Sequence, residues 1–225
     1  MRKTLLTLTL TLSVLAAEAS LFKDGGEMFN RRLGMFIHWG IYSVGEWHCQ
    51  ELWRKRLARV DYERYKDRFR AEKFDADRFV DVAESAGATY IVITTKHHDG
   101  FCMWDTKTTD YKITNTEFGR DLVREYADAF RAEGIHVGLY FSIMDWHHPD
   151  YTIDNPHPRR PKKFLADSTQ EMYDKLNEGK DMARYRKYMF DQVKELLGGD
   201  YGKIDIVWFD YTPKNKPGFK TYKDW

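Results

Sequence analysis

The segment that most restricts the fold is Tyr90–Asp105, YIVITTKHHDGFCMWD. Its first six residues, Tyr90, Ile91, Val92, Ile93, Thr94 and Thr95, are β-branched or aromatic without alternation, as in a strand covered on both faces. Lys96, His97, His98 and Asp99 follow at once, and Gly100 permits the chain to turn. Strands covered on both faces belong to parallel sheets, and α/β enzymes present their chemistry at the C-terminal ends of such strands. Successive strand residues point to opposite faces, so His97 and His98 reach one pocket only if the backbone twists or bulges. The competing reading of this segment alone is a solvated loop that happens to carry histidines.

The rest of the chain repeats the pattern. Met35–Gly40 (MFIHWG) predicts a first strand ending in His38, and a loop with Glu46, Trp47 and His48 follows. Glu51–Phe69 is charged and helix-prone, with Leu52, Leu57, Tyr62 and Tyr65 as apolar positions. Asp75 suits the N-cap of a helix over Ala76–Ala86 that Gly87 closes. Asp121–Glu133 has Leu122, Tyr126 and Phe130 at helical spacing and Gly134 as its stop. Val137–Ser142 predicts a third strand. Asp145–Glu178 is a long connection without obvious structure, holding His147 and His148. A last helix over Asp181–Leu197 precedes a fourth strand, Ile204–Asp210.

The order β-α-β-α-β-α-β, with connections long enough for helices, implies parallel strands. Each strand ends in functional side chains: His38; His97 and His98; Tyr140; Asp210. That regularity fits an α/β (β/α)8 TIM-like barrel of which this chain holds about the first four units, because eight strands and about 250 residues are usual. A doubly wound sheet is the runner-up, weakened by the lack of a Gly-rich phosphate turn after the first strand. In the fourth strand, period-two parity places Ile204, Ile206, Trp208 and Asp210 on one face, with Asp205, Val207 and Phe209 on the other. A carboxylate beside an indole, on a rim shared with histidines and a tyrosine, suits a nucleophile or base.

Composition excludes some classes. Lys+Arg 36 against Asp+Glu 35 gives a formal charge of +1, which argues against nucleic acid or an anionic membrane surface as partner. Aromatic residues make up 16% of the chain, consistent with a Trp-rich core or with stacking on sugar rings. Arg2-Lys3, the apolar run Thr4–Leu15 and Ala17-Glu18-Ala19 predict a signal peptide over residues 1–19, hence export to the periplasm or the outside. The apolar run is short of the roughly 20 residues that span a membrane. Export permits a bridge between Cys49 and Cys102, but both adjoin aromatics and free thiols are the favoured reading.

FIHWG (Phe36–Gly40), Glu46-Trp47, KHHDGFCMWD (Lys96–Asp105), FGRDLV (Phe118–Val123), GLYFS (Gly138–Ser142) and WFD (Trp208–Asp210) resemble, in order, the α-L-fucosidases of glycoside hydrolase family 29. The resemblance runs from about Phe29 to the end. It implies a retaining exo-glycosidase on a (β/α)8 barrel that releases terminal α-linked L-fucose from oligosaccharide or glycoprotein glycans. By motif position Asp210 is the implied nucleophile. His38, Glu46, Trp47, His97, His98 and Tyr140 are the implied fucose-pocket residues, with Trp208 beside the nucleophile. His48 stands where the family often has Tyr. Retention needs a second carboxylic acid about 5–5.5 Å from the nucleophile. Asp205 is excluded by distance and parity, and the resemblance places the acid beyond this chain. Residues 20–225 are therefore expected to be the N-terminal part of a catalytic domain, inactive or nearly so alone.

Two further classes compete. A non-catalytic fucose-binding fragment is the first. A metal hydrolase built from His38, His97, His98, His147, His148, Asp99 and Asp210 is the second, but no His-x-His is present and adjacent histidines diverge. No metal or cofactor is expected.

Overall fold

Residues 33–154, 157–161 and 169–210 are described by the computed structural model. The expected leader, residues 1–19, lies outside them. Four parallel strands form one sheet: β1 Gly34–Ile37, β2 Tyr90–Lys96, β3 His136–Ser142 and β4 Ile206–Asp210. Their order is β1-β2-β3-β4. Each strand adds beside its predecessor, without the reversal of order that creates the cleft of a doubly wound sheet. Among the described residues no helix is long and apolar enough to cross a membrane.

Among the described residues six α-helices lie between the strands: α1 Glu51–Lys55, α2 Arg59–Glu63, α3 Ala76–Ser85, α4 Leu122–Ala132, α5 Gln170–Leu176 and α6 Met182–Leu197. The side chains of Asp75, Asp121, Thr169 and Asp181 accept backbone N–H bonds at the starts of α3 to α6. These caps satisfy donors that the first turn leaves without partners. Gly87 and Gly134 take positive φ just after α3 and α4, the conformation a side chain disfavours.

Two expectations need correction. Glu51–Phe69 is not one helix: Arg56 adopts φ +49° after α1, and the segment continues as α2 and a 3₁₀ turn over Arg64–Arg68. The connection from Asp145 to Glu178 contains α5, tied down where Asn177 bonds both the N–H and the C=O of Ile153.

One sheet face supplies the core. Ile91, Ile93, Val137, Leu139 and Phe141 pack with Val80 and Ala83 of α3 and with Leu122, Val123, Tyr126 and Phe130 of α4. The opposite face carries Phe36, Tyr140 and Trp208. There the Phe36 ring on β1 meets the Trp208 ring on β4 at 5.5 Å, although three strand spacings separate them. On a flat sheet those strands would lie about 14 Å apart, so the sheet curls toward this face. Phe36 and Trp208 remain 39% and 53% exposed, because among the described residues no strand continues beyond β1 or β4.

The irregularity expected near the histidines lies one step earlier. β2 and β3 pair Thr94 with Tyr140 but Lys96 with Phe141, so Thr95 is an extra residue. Its hydroxyl donates to the Tyr140 carbonyl at 2.7 Å. The bulge reverses the parity that follows. Lys96 turns to the helix side, where its Nζ lies 4.3 Å from the Phe141 ring centroid, 2.9 Å from Gln192 Oε1 and 3.4 Å from Asp145 Oδ2. Lys96, Asp145 and Gln192 are fully buried or nearly so. Burial alone would raise the Asp145 carboxyl; the Lys96 charge and the His147 and His148 contacts outweigh it and hold it below its ordinary value. Removing one partner of such a pair strands the other charge in the core. Asp145→Ala is expected to destabilise the 225-residue chain by about 3–5 kcal/mol in urea titrations, and Asp145→Asn, which retains an acceptor, by less.

Candidate active site

The bulge that sends Lys96 inward to the helices delivers His97 to the other face. Its ring stacks on Tyr140 at 5.3 Å and 10°, and lies 5.5 Å from His38 at the end of β1. His38 is also 5.0 Å from Tyr140 and stacks on Phe36 at 4.8 Å. His98 follows in the turn closed by Gly100 N–H donating to the His97 carbonyl, with Gly100 at φ +78°. A Cβ there would meet Asp145 Oδ1 at 2.5 Å, so glycine answers both the turn and the close approach.

His98 is oriented from below. Its Nδ1 lies 2.5 Å from Ser142 Oγ, and that hydroxyl donates to the Met144 carbonyl at 2.6 Å. The hydroxyl proton being committed, Ser142 accepts from His98, which places the imidazole proton on Nδ1. Nε2 then carries a lone pair, 3.5 Å from Asp210 Oδ2. Burial lowers the His98 pKa to about 4, against the opposing pull of Asp210. Burial likewise lowers His38, and lowers His97 well below the ordinary value, so all three rings are neutral at neutral pH.

Asp210 closes the group. Tyr140 OH donates to its Oδ2 at 2.6 Å, and burial together with that carboxylate raises the phenol far above its usual range, so Tyr140 keeps its proton. The β3–β4 register makes this contact: Tyr140 pairs with Trp208 and Ser142 with Asp210, so all four side chains share one face. Thus His38, His97, His98, Tyr140, Trp208 and Asp210 converge at one end of the sheet.

Other candidates lie elsewhere. Glu46 is exposed and pairs with Lys55 at 2.7 Å, and the exposed Trp47 ring meets His48 at 6.2 Å. Their loop is held by the buried Glu51 carboxylate, which accepts from Trp47 N–H at 2.8 Å and Tyr65 OH at 2.9 Å. Asp99 is 2% exposed, sealed by Tyr62 OH at 2.6 Å and Phe101 N–H at 3.0 Å, and burial raises it to about 6. Asp205 sits at the opposite end of the sheet, paired with His136 at 2.9 Å. His147 bonds Glu63 at 2.7 Å and stacks on Tyr111 at 4.1 Å, while His148 packs on Tyr188 at 4.5 Å. Both histidines are structural rather than solvated. Cys49 and Cys102 are free thiols. Sequence reasoning did not single out Ser142 or Gln192. Ser142 had a legible signal, lying two residues beyond Tyr140 on the same strand face.

Comparison with known proteins is consistent across sequence and structure. The family model described as Alpha-L-fucosidase matches residues 26–225. The human tissue alpha-L-fucosidase is 34% identical over 165 residues, covering 65% of this chain and 35% of that protein. Alpha-L-fucosidase isoenzyme 1 from Paenibacillus thiaminolyticus superposes with a TM-score of 0.72 at 47% identity, over 83% of this chain and 42% of that one. A Bacteroides thetaiotaomicron GH29 alpha-L-fucosidase, trapped as a covalent intermediate with 2-fluoro-fucosyl fluoride, gives 0.65 at 34% identity, over 80% and 39%. The chain thus spans roughly a third to two fifths of the length of these relatives.

The neutral state of His98 has a measurable consequence. The unfolded chain takes up this proton near pH 6.5, whereas the folded chain refuses it until about pH 4. Stability therefore falls as pH drops through that window. Between pH 7 and pH 4.5 the wild type is expected to lose about 2–3 kcal/mol more than His98→Asn, compared by urea midpoints at each pH.

Proposed function

Because the chain belongs to the α-L-fucosidase family, we propose that it forms the N-terminal half of a (β/α)8 catalytic domain that hydrolyses terminal α-L-fucosyl linkages with retention. The observation that carries this reading is the convergence of three imidazoles, a tyrosine hydroxyl and two aromatic walls around the Asp210 carboxylate. The one-directional strand order and the curl that brings Phe36 to Trp208 support the barrel.

The chemistry follows from the donor and acceptor inventory. Asp210, oriented through Oδ2 by Tyr140, attacks the anomeric carbon as the bond to the leaving oxygen breaks and forms a glycosyl ester; water then attacks from the face the leaving group vacated, opposite Asp210, and the ester bond breaks to free the carboxylate. His98 Nε2 offers an acceptor to a sugar hydroxyl, because its proton is held on Nδ1 by Ser142. His97, buried and with its Nδ1 unpartnered, offers a second polar site, and His38 a third. The faces of Phe36 and Trp208 supply the apolar wall that a deoxy-sugar methyl requires. Glu46 and Trp47, on their exposed loop, complete the pocket when the loop folds toward the sugar.

Protonation of the leaving oxygen needs a second carboxylic acid about 5–5.5 Å away. Among the described residues the buried carboxylates near the site, Asp99 and Asp145, are sealed by hydrogen bonds. Glu46, paired with Lys55 on its exposed loop, keeps the pocket role that the resemblance implies, and the acid is assigned, as the resemblance also implies, to sequence beyond these residues. Residues 1–19 serve as a signal peptide, residues 20–225 belong to the catalytic domain, and the substrate is a fucosylated glycan met outside the cytoplasm.

The absence of a reachable acid among the described residues also favours a second reading, in which the 225-residue chain binds fucose without cleaving it. Calorimetry is expected to show L-fucose binding to this chain, weakened at least about tenfold in His98→Ala, with no release of nitrophenol from 4-nitrophenyl α-L-fucoside. Robust turnover by this chain would show that its acid lies within it. In a version extended to the length of its relatives, Asp210→Ala is expected to lower turnover by about a thousandfold or more; retained activity would remove Asp210 from the mechanism.

A further inference from the structure

We propose that His38, Cys49 and His97 form a binding site for a thiophilic divalent cation such as Zn²⁺ or Co²⁺, and that cation and sugar exclude each other there. The second half of this proposal rests on the sugar reading above; the first does not.

Three separate stretches of chain build the site: the end of β1, the loop before α1 and the end of β2. One donor atom from each of His38, Cys49 and His97 lies within 4.8 Å of the others. His97 supplies the second observation. It is 4% exposed, yet its Nδ1 has no hydrogen-bond partner. A buried ring nitrogen without a partner is costly, and a cation bound through it would satisfy it. The donor set itself selects the ion. Two imidazoles and a thiolate suit Zn²⁺ or Co²⁺ and do not suit Mg²⁺ or Ca²⁺, which take oxygen.

The geometry is close to what a tetrahedral ion needs. Bonds of about 2.0–2.3 Å put ligand atoms about 3.3–3.6 Å apart, so the three must close by roughly 1 Å. His38 is exposed and Cys49 only half-buried, so side-chain rotation supplies that closure around the anchored His97. The thiol proton has a path. Cys49 Sγ lies 3.5 Å from His48 Nδ1, which already accepts from Gln50 N–H at 3.4 Å and so carries a lone pair. As the metal–sulfur bond forms, the S–H bond breaks and its proton passes to His48 or to water. Three protein ligands leave a fourth position for water.

The test is optical titration of the metal-free 225-residue chain with Co²⁺, read as thiolate-to-Co²⁺ charge-transfer absorption. Wild type is expected to develop the band, Cys49→Ser to lose it and to bind Co²⁺ at least about tenfold more weakly, and Cys102→Ala to retain it. No band in wild type, or an undiminished band in Cys49→Ser, would overturn the site. Saturating L-fucose is expected to raise the apparent dissociation constant for Co²⁺ at least about tenfold. A Cys49-dependent band indifferent to L-fucose, with L-fucose shown by calorimetry to bind the metal-free chain, would overturn the exclusion. Failure of L-fucose to bind the metal-free chain would count against the sugar reading alone, since the band is read without sugar.

Discussion

The structure depends on one extra residue in β2. With Thr95 bulged out of the ladder, Lys96 and His97 exchange the faces that simple alternation would assign them. Without the bulge, a long cation would stand among the histidines and the strand's imidazole would be driven into the helix layer. The Thr95 hydroxyl compensates locally by bonding the Tyr140 carbonyl. The larger compensation is the buried set of Lys96, Asp145 and Gln192, surrounded by the Phe141, Tyr185 and Tyr188 rings. A buried ammonium is tolerable only with such partners.

Charge is thereby sorted across the sheet. The full cation and its counter-ion lie on the helix side, and the opposite face holds neutral rings around a single carboxylate. Burial favours the neutral form of His97 and His98, partial desolvation lowers the more exposed His38, and the chain from His98 through Ser142 to the Met144 carbonyl selects the tautomer. Neutral imidazoles can accept and donate, which suits a ligand rich in hydroxyls and does not quench Asp210 by forming a fixed ion pair. The same neutrality would make these rings competent metal ligands.

The long-range architecture was legible because it rests on local signals. The unbroken apolar body of Tyr90–Thr95, the caps at Asp75, Asp121 and Asp181, and the glycines after α3 and α4 each have a short-range physical cause. Parity in β4 put Trp208 and Phe209 on opposite faces, and the structure places Trp208 against Phe36 and Phe209 against Phe141. The helix-prone stretch after Glu51 misled, since its charge pattern does not reveal that Arg56 takes a left-handed conformation. Gln192 was hidden for a different reason. A polar residue on the buried side of α6 reads as a blemish until the partner it meets, 96 positions away, is known.

By itself the sequence determined which residues stand at the strand ends and which family the chain resembles, because strand ends, motif order and family resemblance are local or linear properties. Only the tertiary structure decided how those residues come together at one end of the sheet. The bulge that aims His97, the hydroxyl that sets the His98 tautomer, and the approach of Cys49 to two imidazoles all depend on contacts between distant segments. No periodicity along the chain encodes a distance across the sheet.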